Sequence, residues 1–325
     1  MSNSIGWCTD TLNPTVGCSP VSAGCTHCYA ARQANRFCKP GEQFHGLVTP
    51  KHVASISEFE TNNHLDPLDE DVVLSQWTGE INFYSERLEK PFKWRKPRRI
   101  FVDSMGDLFH PVVPDKHIAA VLGTIAATPC HLYFILTKHV ERMVEWFKWS
   151  EKYYDGFNTI GRLFAPEGRK MLESAWLELK LGSDTTFPPK NLWLGCSVEN
   201  QPTANTRLTQ LFKCPAEHYF VSYEPALGGV DFTNDAMVGE DWNWLTGENY
   251  GRDEDGAPEQ LPNYPKISLV ICGAETGPKR RPMDLDWARS VRDQCAETGV
   301  NFWFKKDSHG NETLDGIEHH PEFWK

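Results

Sequence analysis

The stretch Leu132-Tyr133-Phe134-Ile135-Leu136-Thr137-Lys138 decides the fold class of this 325-residue chain. Its run of apolar residues, rich in branched and aromatic side chains, is typical of a strand that is buried on both faces. After the two polar residues, Val140, Met143, Val144 and Phe147 repeat at the spacing of an amphipathic helix. A buried strand followed directly by a helix predicts a parallel βαβ unit.

The same order of apolar run, polar cluster and helical pattern recurs along the chain. Six further apolar runs lie at 81–84, 100–102, 192–196, 219–221, 269–272 and 302–304. Two more helices are predicted, one capped by Asp115 and one capped by Asp284 and ended by Gly299. With a short strand near residues 5–8, these runs approach the eight strands of a TIM-type (β/α) barrel, complete or partial. An open doubly wound α/β sheet is the alternative.

The composition indicates a folded chain with one large core. Hydrophobic residues make up 40% of the sequence, and the 12 Trp and 18 Phe residues exclude a disordered chain. No run of 18 apolar residues exists, and the N-terminus lacks the pattern of a signal peptide, so we expect a cytoplasmic protein. We expect a single domain over residues 1–325, with insertions at about 149–189 and 232–264. Extra helices are expected around 171–181, and the second insertion is expected to form a surface excursion or a lid.

Polar residues follow each apolar run. They are Ser85 and Glu86, then Asp103, Ser104 and Asp107, then Thr137 and Lys138, Ser197 and Glu199, Ser222 and Glu224, Gly273 to Gly277 with Glu275, and Lys305 with Asp307. Helix capping explains Ser, Asp and Glu at such positions. It does not explain why Lys138 and Lys305 accompany Glu224 and Glu275. The pattern therefore predicts one polar mouth at the carboxyl ends of the strands, where parallel barrels build their sites.

Three of the ten cysteines lie together in a loop that is rich in glycine and proline. Cys18, Cys25 and Cys28 have gaps of six and two residues. Three thiolates from one loop can bind three irons of a 4Fe–4S cluster and leave the fourth iron open to a ligand. A structural zinc ion, with Cys38 or His27 as fourth ligand, fits the same spacing. Spacing alone does not decide between the two.

The loop resembles the iron–sulfur loop of the radical S-adenosylmethionine (SAM) superfamily. More closely, the chain is similar to the phage-associated three-cysteine-motif family within or beside that superfamily. The resemblance runs nearly end to end, through residues 13–30, 97–110, 136–138 with 141–143, 193–199, 222–225, 273–278 with 281–283, and 302–305. The superfamily's usual loop is C-x₃-C-x₂-C, with an aromatic residue before the last cysteine. Here the first gap is six residues, and His27 holds the aromatic place.

This resemblance implies a radical enzyme with two cofactors, a 4Fe–4S cluster and SAM. Reductive cleavage of SAM would give a 5′-deoxyadenosyl radical that abstracts hydrogen from a substrate, in an isomerase, lyase or transferase reaction. The implied metal ligands are Cys18, Cys25 and Cys28. The implied SAM contacts are Ser85, Glu86, Ser104, Ser197, Glu199, Ser222, Glu224, Gly273 and Glu275. The implied contacts to an anionic substrate are Lys138, Arg280, Arg281 and Lys305. A flavodoxin or ferredoxin would supply the electron, in the cytoplasm of a phage-infected or prophage-bearing host.

The charge distribution bears on the substrate. The chain has a net charge of -11, which lacks the overall basic footprint of a nucleic-acid-binding protein. Residues 87–99 nevertheless carry seven basic residues against Glu89, with Phe92 and Trp94 between them, and this strip could combine phosphate contacts with base stacking. The resemblance to a phage-associated family implies a nucleobase or a modified thymine of phage DNA as substrate, and the basic strip supports this expectation. A free nucleotide and an amino-acid-derived molecule are alternatives, and a non-enzymatic, zinc-stabilised nucleic-acid-binding protein is the alternative function.

Overall fold

The computed structural model describes residues 5–52, 73–151, 188–233, 241–252, 258–277 and 279–323. The strands in these ranges are β1 (Asp10–Leu12), β2 (Thr15–Val16), β3 (Val48–His52), β4 (Val73–Trp77), β5 (Asn82–Phe83), β6 (Arg99–Val102), β7 (Leu132–Thr137), β8 (Leu192–Ser197), β9 (His218–Tyr223), β10 (Asp241–Trp242), β11 (Asn249–Arg252), β12 (Pro258–Leu261), β13 (Ile267–Gly273) and β14 (Asn301–Lys306). The α-helices are α1 (Tyr29–Ala34), α2 (Lys90–Lys93), α3 (Asp115–Ala127), α4 (Val140–Glu151), α5 (Gln201–Leu211) and α6 (Leu285–Thr298). The helices predicted around 171–181 lie outside the described residues.

Seven strands form one parallel sheet in the order β1-β6-β7-β8-β9-β13-β14. This order follows the chain without a reversal, whereas a doubly wound sheet reverses at its switch point, so the doubly wound alternative is wrong. In the described part of the chain no pairing joins β1 to β14. The fold is therefore α/β with a curled half-barrel sheet, which confirms the prediction of a partial barrel.

Aromatic side chains fill the concave face of this sheet. Neighbouring strands lie about 4.8 Å apart. The rings of Phe134 on β7 and Phe220 on β9 nevertheless approach to 5.6 Å across the strand between them. Trp7 closes the layer, with its ring 5.0 Å from Phe101 and 6.0 Å from Phe220. Gly195 on β8 makes this packing feasible, because a Cβ there would lie 2.5 Å from the Phe220 ring.

Helices cover the convex face and follow the predicted apolar stripes. In α4 the predicted positions Val140, Met143, Val144 and Phe147 are all buried. In α6 the predicted cap is confirmed, because Asp284 accepts a hydrogen bond of 2.9 Å from the backbone of Asp286. The predicted end is confirmed as well, since Gly299 adopts a left-handed conformation with φ 71°.

The predicted cap of α3 is wrong. Pro114 is the N-cap residue, and Asp115 lies within the first turn. The carboxylate of Asp115 pairs with Arg142 of α4 instead of accepting a backbone N–H group. The Asp115 carboxylate thus forms a salt bridge between helices α3 and α4 and does not cap α3.

Two predicted strands of the main sheet are also wrong. Residues 5–8 do not form a strand, and the first strand is β1. Trp7 instead packs against the concave face of the sheet, which we call the hollow. The run at 81–84 contains β5, but β5 pairs antiparallel with β2 in a separate two-stranded sheet. Trp7 and Cys8 are buried, and Ile81 and Phe83 partly buried, by packing rather than by strand pairing within the half-barrel.

The acidic segment at 232–264 is not a lid in its described part. Strands β10, β11 and β12 form an antiparallel sheet. The ring of Trp242 lies 4.9 Å from Phe212, at the end of α5, and 4.6 Å from Tyr264, shortly before β13. The end of a crossover helix and the start of the next strand both lie at the amino edge of a parallel sheet. The described part of the segment thus packs away from the carboxyl ends. None of the described helices is long and apolar enough to cross a membrane.

Candidate functional site

The polar mouth arises from the alternation of side chains along the strands. Residues an even number apart on a strand face the same side. The layer on the concave face contains Phe134, Trp193, Phe220, Ile271 and Trp303. An even number of residues after each of them comes a charged residue, in the same order Lys138, Glu199, Glu224, Glu275 and Lys305. Lys305 lies on β14, and the other four lie one or two residues beyond the ends of β7, β8, β9 and β13. Ion pairs join Lys138 to Glu199 and Lys305 to Glu224, and Glu275 contacts the cysteine loop, as expected for one mouth at the carboxyl ends.

Glu199 lies at the centre of the first ion pair. Its Oε1 is 2.8 Å from Lys138 Nζ, and its Oε2 accepts a hydrogen bond of 2.9 Å from Arg207 of α5. Arg207 also donates to the carbonyl of Ser197 at 2.7 Å. Burial alone would raise the pKa of Glu199, but the charges of Lys138 and Arg207 outweigh it and lower that pKa. The carboxylate is thus held ionised, although its side chain is only 1% exposed.

Glu275 forms the second pair. His27 Nδ1 lies 2.6 Å from Glu275 Oε2, and Arg281 donates to both carboxylate oxygens. Burial opposes ionisation of Glu275, but the hydrogen bonds from His27 and Arg281 outweigh it and lower its pKa from 4.5 to about 2. His27 therefore links the cysteine loop to the carboxyl end of β13.

Lys305 and Glu224 form the third pair, with Nζ 2.9 Å from Oε1. Gly273 on the next strand permits this geometry, because a Cβ there would lie 2.7 Å from Glu224 Oε1. Both side chains are partly exposed, at 21% for Lys305 and 15% for Glu224. No hydrogen bond joins this pair to the cysteine loop in the described part of the chain.

The cysteine loop follows β1 and is fastened to the mouth by the first two pairs. Ser22 Oγ donates to Glu199 at 2.7 Å, and Arg281 donates to the carbonyl of Ala23 at 2.8 Å. The loop approaches so closely that a Cβ on Gly24 would lie 2.5 Å from Glu199 Oε1 and 2.9 Å from Lys138 Nζ. Side chains from three strand ends thus hold one short loop over the hollow.

The thiols of the loop lie close enough to influence one another. Burial raises the pKa of Cys18 well above its usual value, and the charges of Asp107, Cys28 and Cys25 raise it further. Burial also opposes ionisation of Cys25, but the charge of Lys138 and backbone N–H groups outweigh it, so its pKa is lowered. The three thiols are thus within electrostatic reach of one another, with Asp107 and Lys138 acting on them as well.

The three cysteines supply the thiolate ligands that both a 4Fe–4S cluster and a structural zinc ion use. Within the described ranges, no three His, Cys, Asp or Glu side chains converge as the ligands of one metal ion do. A tetrahedral zinc ion requires sulfurs at about 2.3 Å from one centre, whereas a 4Fe–4S cluster spreads them over separate irons. The two proposed fourth zinc ligands are engaged elsewhere, since His27 pairs with Glu275 and the Cys38 thiol donates to the carbonyl of Asn35 at 3.1 Å.

The other predicted SAM contacts divide into two groups. Ser197 and Ser222 are cross-strand partners on β8 and β9, and their buried side chains stand on the hollow side between the ion pairs. Ser104 Oγ instead donates to Asn13 at 3.1 Å. Ser85 and Glu86 lie in a 3-10 helix, Ser85–Glu89, beside the small β2–β5 sheet. No hydrogen bond links either of them to the mouth among the residues that the structure describes.

The predicted anionic-substrate contacts are similarly divided. Lys138 and Arg281 contact the cysteine loop and pair with Glu199 and Glu275 respectively, as described above. Lys305 faces the hollow. Arg280 is exposed and donates to the carbonyl of Ser308, shortly after the end of β14.

The basic strip at 87–99 does not lie at the mouth as a unit. Arg98 pairs with Asp10 at 2.6 Å and stacks on Trp94, while Arg99 donates to the carbonyl of Trp7 at 3.2 Å. Both arginines lie where β1 and β6 begin, which is the opposite edge of the sheet. The exposed remainder lies on the outer flank and comprises Lys90, Phe92, Lys93, Arg95 and Lys96.

Two residues that hold the site are missing from the sequence-based prediction. The sequence pattern could have identified Arg207, because it lies between Ala204 and Leu208 on the buried face of α5. A charged residue on a buried face needs a buried partner. Ser22 carried none, since a serine in a glycine-rich loop is ordinary turn chemistry.

Comparison with known proteins places the chain in a family. The family model described as "Protein of unknown function (DUF5131)" matches residues 2–318. No curated protein and no solved structure matches the chain. Because the match extends over nearly all of the sequence, the chain belongs to the DUF5131 family.

Proposed function

We propose that this chain is a radical SAM enzyme whose three loop cysteines hold a 4Fe–4S cluster. One observation carries the proposal: a loop with three neighbouring thiols is fastened by Glu199, Glu275 and Lys138 over the open end of a parallel half-barrel. A loop that served only as a connection would not need buried charges from three strands, because taking such charges out of water is costly. The family resemblance of the loop supports the same function.

The chain's own residues would divide the work. Cys18, Cys25 and Cys28 would bind three irons, and the cluster with bound SAM would supply the 5′-deoxyadenosyl radical that takes hydrogen from the substrate. Ser197 and Ser222 offer hydroxyl groups on the hollow side for SAM. Below them the aromatic layer around Phe134 and Phe220 is buried and excludes water from the floor of the hollow.

The radical function is tested by anaerobic turnover. Protein purified without oxygen, loaded with iron and sulfide and reduced with dithionite, should convert SAM to 5′-deoxyadenosine and methionine. The Cys25→Ala variant should form neither product, because it lacks one cluster ligand. A colourless wild-type protein with one zinc per chain and no SAM cleavage would support the non-enzymatic alternative instead.

We propose a nucleobase, in DNA or in a free nucleotide, as the substrate. The exposed part of the basic strip supports nucleic-acid binding, because Lys90, Lys93, Arg95 and Lys96 surround Phe92, which is 37% exposed. Binding of duplex DNA should then weaken as salt rises, and reversal of these four charges should reduce the slope. Binding that is absent or insensitive to salt would remove polynucleotide from the proposal and leave the free nucleotide.

A further inference from the structure

Lys138 is a partly buried lysine that contacts one of the three thiols directly. Its Nζ lies 3.5 Å from Cys25 Sγ and 2.8 Å from Glu199 Oε1, and its side chain is 16% exposed. The distance to the sulfur is within the range for a hydrogen bond to this large atom. Cys25 Sγ also accepts a hydrogen bond of 3.4 Å from the backbone N–H of Val21.

The surroundings fix the ammonium group in this position. Glu199 uses Oε1 for Lys138 and Ser22, and Oε2 for Arg207. Because Gly24, next to Cys25, has no side chain, the loop backbone lies directly against the pair of Glu199 and Lys138. Lys138, Arg207 and Glu199 together carry a net charge of +1. The charged group of this set that faces the sulfur is the ammonium of Lys138.

We propose that Lys138 is a positioning residue that makes the Cys25 corner of the cluster electrostatically distinct and raises the cluster's reduction potential. This inference rests on the function proposed above. Reduction by one electron adds one negative charge to the cluster, and a fixed positive charge beside a ligand sulfur stabilises the reduced form. A charge-assisted hydrogen bond to the sulfur acts in the same direction.

The mouth contains a matched control for this effect. Lys305 is also a partly buried lysine paired with a glutamate, Glu224, at 2.9 Å. Within the described residues, no hydrogen bond joins Lys305 to a cysteine sulfur. Removal of its charge changes the net charge of the mouth by the same amount without removing a contact to a thiol.

The test is a potentiometric titration of the loaded protein with dithionite, followed by the electron paramagnetic resonance signal of the reduced cluster. Wild type is compared with Lys138→Met, Lys138→Gln, Lys138→Arg and Lys305→Met, after the iron content of each has been measured. Glu199 keeps Arg207 and Ser22 in the Lys138 variants, so the fold has a partner for this carboxylate throughout.

We expect Lys138→Met to lower the midpoint potential, Lys138→Gln to lower it as well, and Lys138→Arg to restore it towards the wild-type value. Lys305→Met should shift it less than Lys138→Met. An unchanged midpoint in iron-loaded Lys138→Met, or an equal shift in Lys305→Met, overturns the inference while the cluster itself stands. A wild-type protein that binds no cluster overturns the proposed function, and the inference with it.

Discussion

Gly24 shows at the scale of one residue how the cysteine loop reaches the sheet. A Cβ at this position would overlap Glu199 Oε1 and Lys138 Nζ, and both atoms are already fixed by ion pairing. We expect Gly24→Ala to lower the free energy of unfolding by about 1–3 kcal/mol, because the loop must move away from the pair. Urea denaturation measures this change.

Gly229→Ala is the control for this substitution. A Cβ there would lie 3.5 Å from Trp287, which is ordinary contact. The control should change the free energy of unfolding by less than about 1 kcal/mol, in either direction. Equal effects of the two substitutions would contradict the close approach at Gly24.

Glu275 gives a prediction about pH. Its pKa in the folded protein is about 2, below the value of about 4.3 expected in the unfolded chain. A depressed carboxylate pKa contributes stability that is complete above the unfolded value and is lost as pH falls towards the folded value. The free energy of unfolding of wild type minus that of Glu275→Gln should therefore shrink between pH 5 and about 2.5. A difference that stays constant over this range would show that Glu275 is not stabilised as an anion.

Helix α5 gives a prediction at the scale of an element. Arg207 is a charged residue on the buried face of this helix and holds both Glu199 and the carbonyl of Ser197. Arg207→Met should lower the free energy of unfolding by about 2 kcal/mol. This is less than the 3–5 kcal/mol typical of breaking an isolated buried pair, because Glu199 keeps Lys138 and Ser22.

Lys213→Met provides the comparison near the end of α5. Lys213 is exposed and bonds only to Gln210 among the described residues. Thermal or urea denaturation should find this variant within about 0.5 kcal/mol of wild type, as is usual for surface positions. A similar loss of stability in both variants would indicate that Arg207 acts through general charge rather than through its buried contacts.

The sequence predicted elements well where no distant residue competes with the local pattern. Helix α4 was predicted correctly from its apolar stripe, and α6 from its stripe, the Asp284 cap and Gly299 together. The run at 81–84 was assigned to the wrong sheet, because an apolar run does not encode its partner strand. Asp115 was assigned as a cap, but Arg142, which is distant in sequence, competes for the same carboxylate.

At the scale of the whole molecule, the sequential strand order made the half-barrel and its mouth predictable. Polar residues after successive parallel strands must meet at one edge, so Lys138, Glu199, Glu224, Glu275 and Lys305 were predicted to lie together. Their pairing was not predictable. Which lysine meets which glutamate, and that Glu199 and Glu275 bind the loop, depends on curvature and on loop contacts that no local pattern records.

We propose above that Cys18, Cys25 and Cys28 together bind an iron–sulfur cluster. The most direct test is the iron and sulfide content per chain after anaerobic reconstitution, compared among wild type, the triple variant Cys18→Ala/Cys25→Ala/Cys28→Ala and Cys38→Ala. We predict about four irons and four sulfides in wild type and in Cys38→Ala, and none in the triple variant. Full iron in the triple variant, or a single zinc in wild type that is lost in Cys38→Ala, would contradict the account.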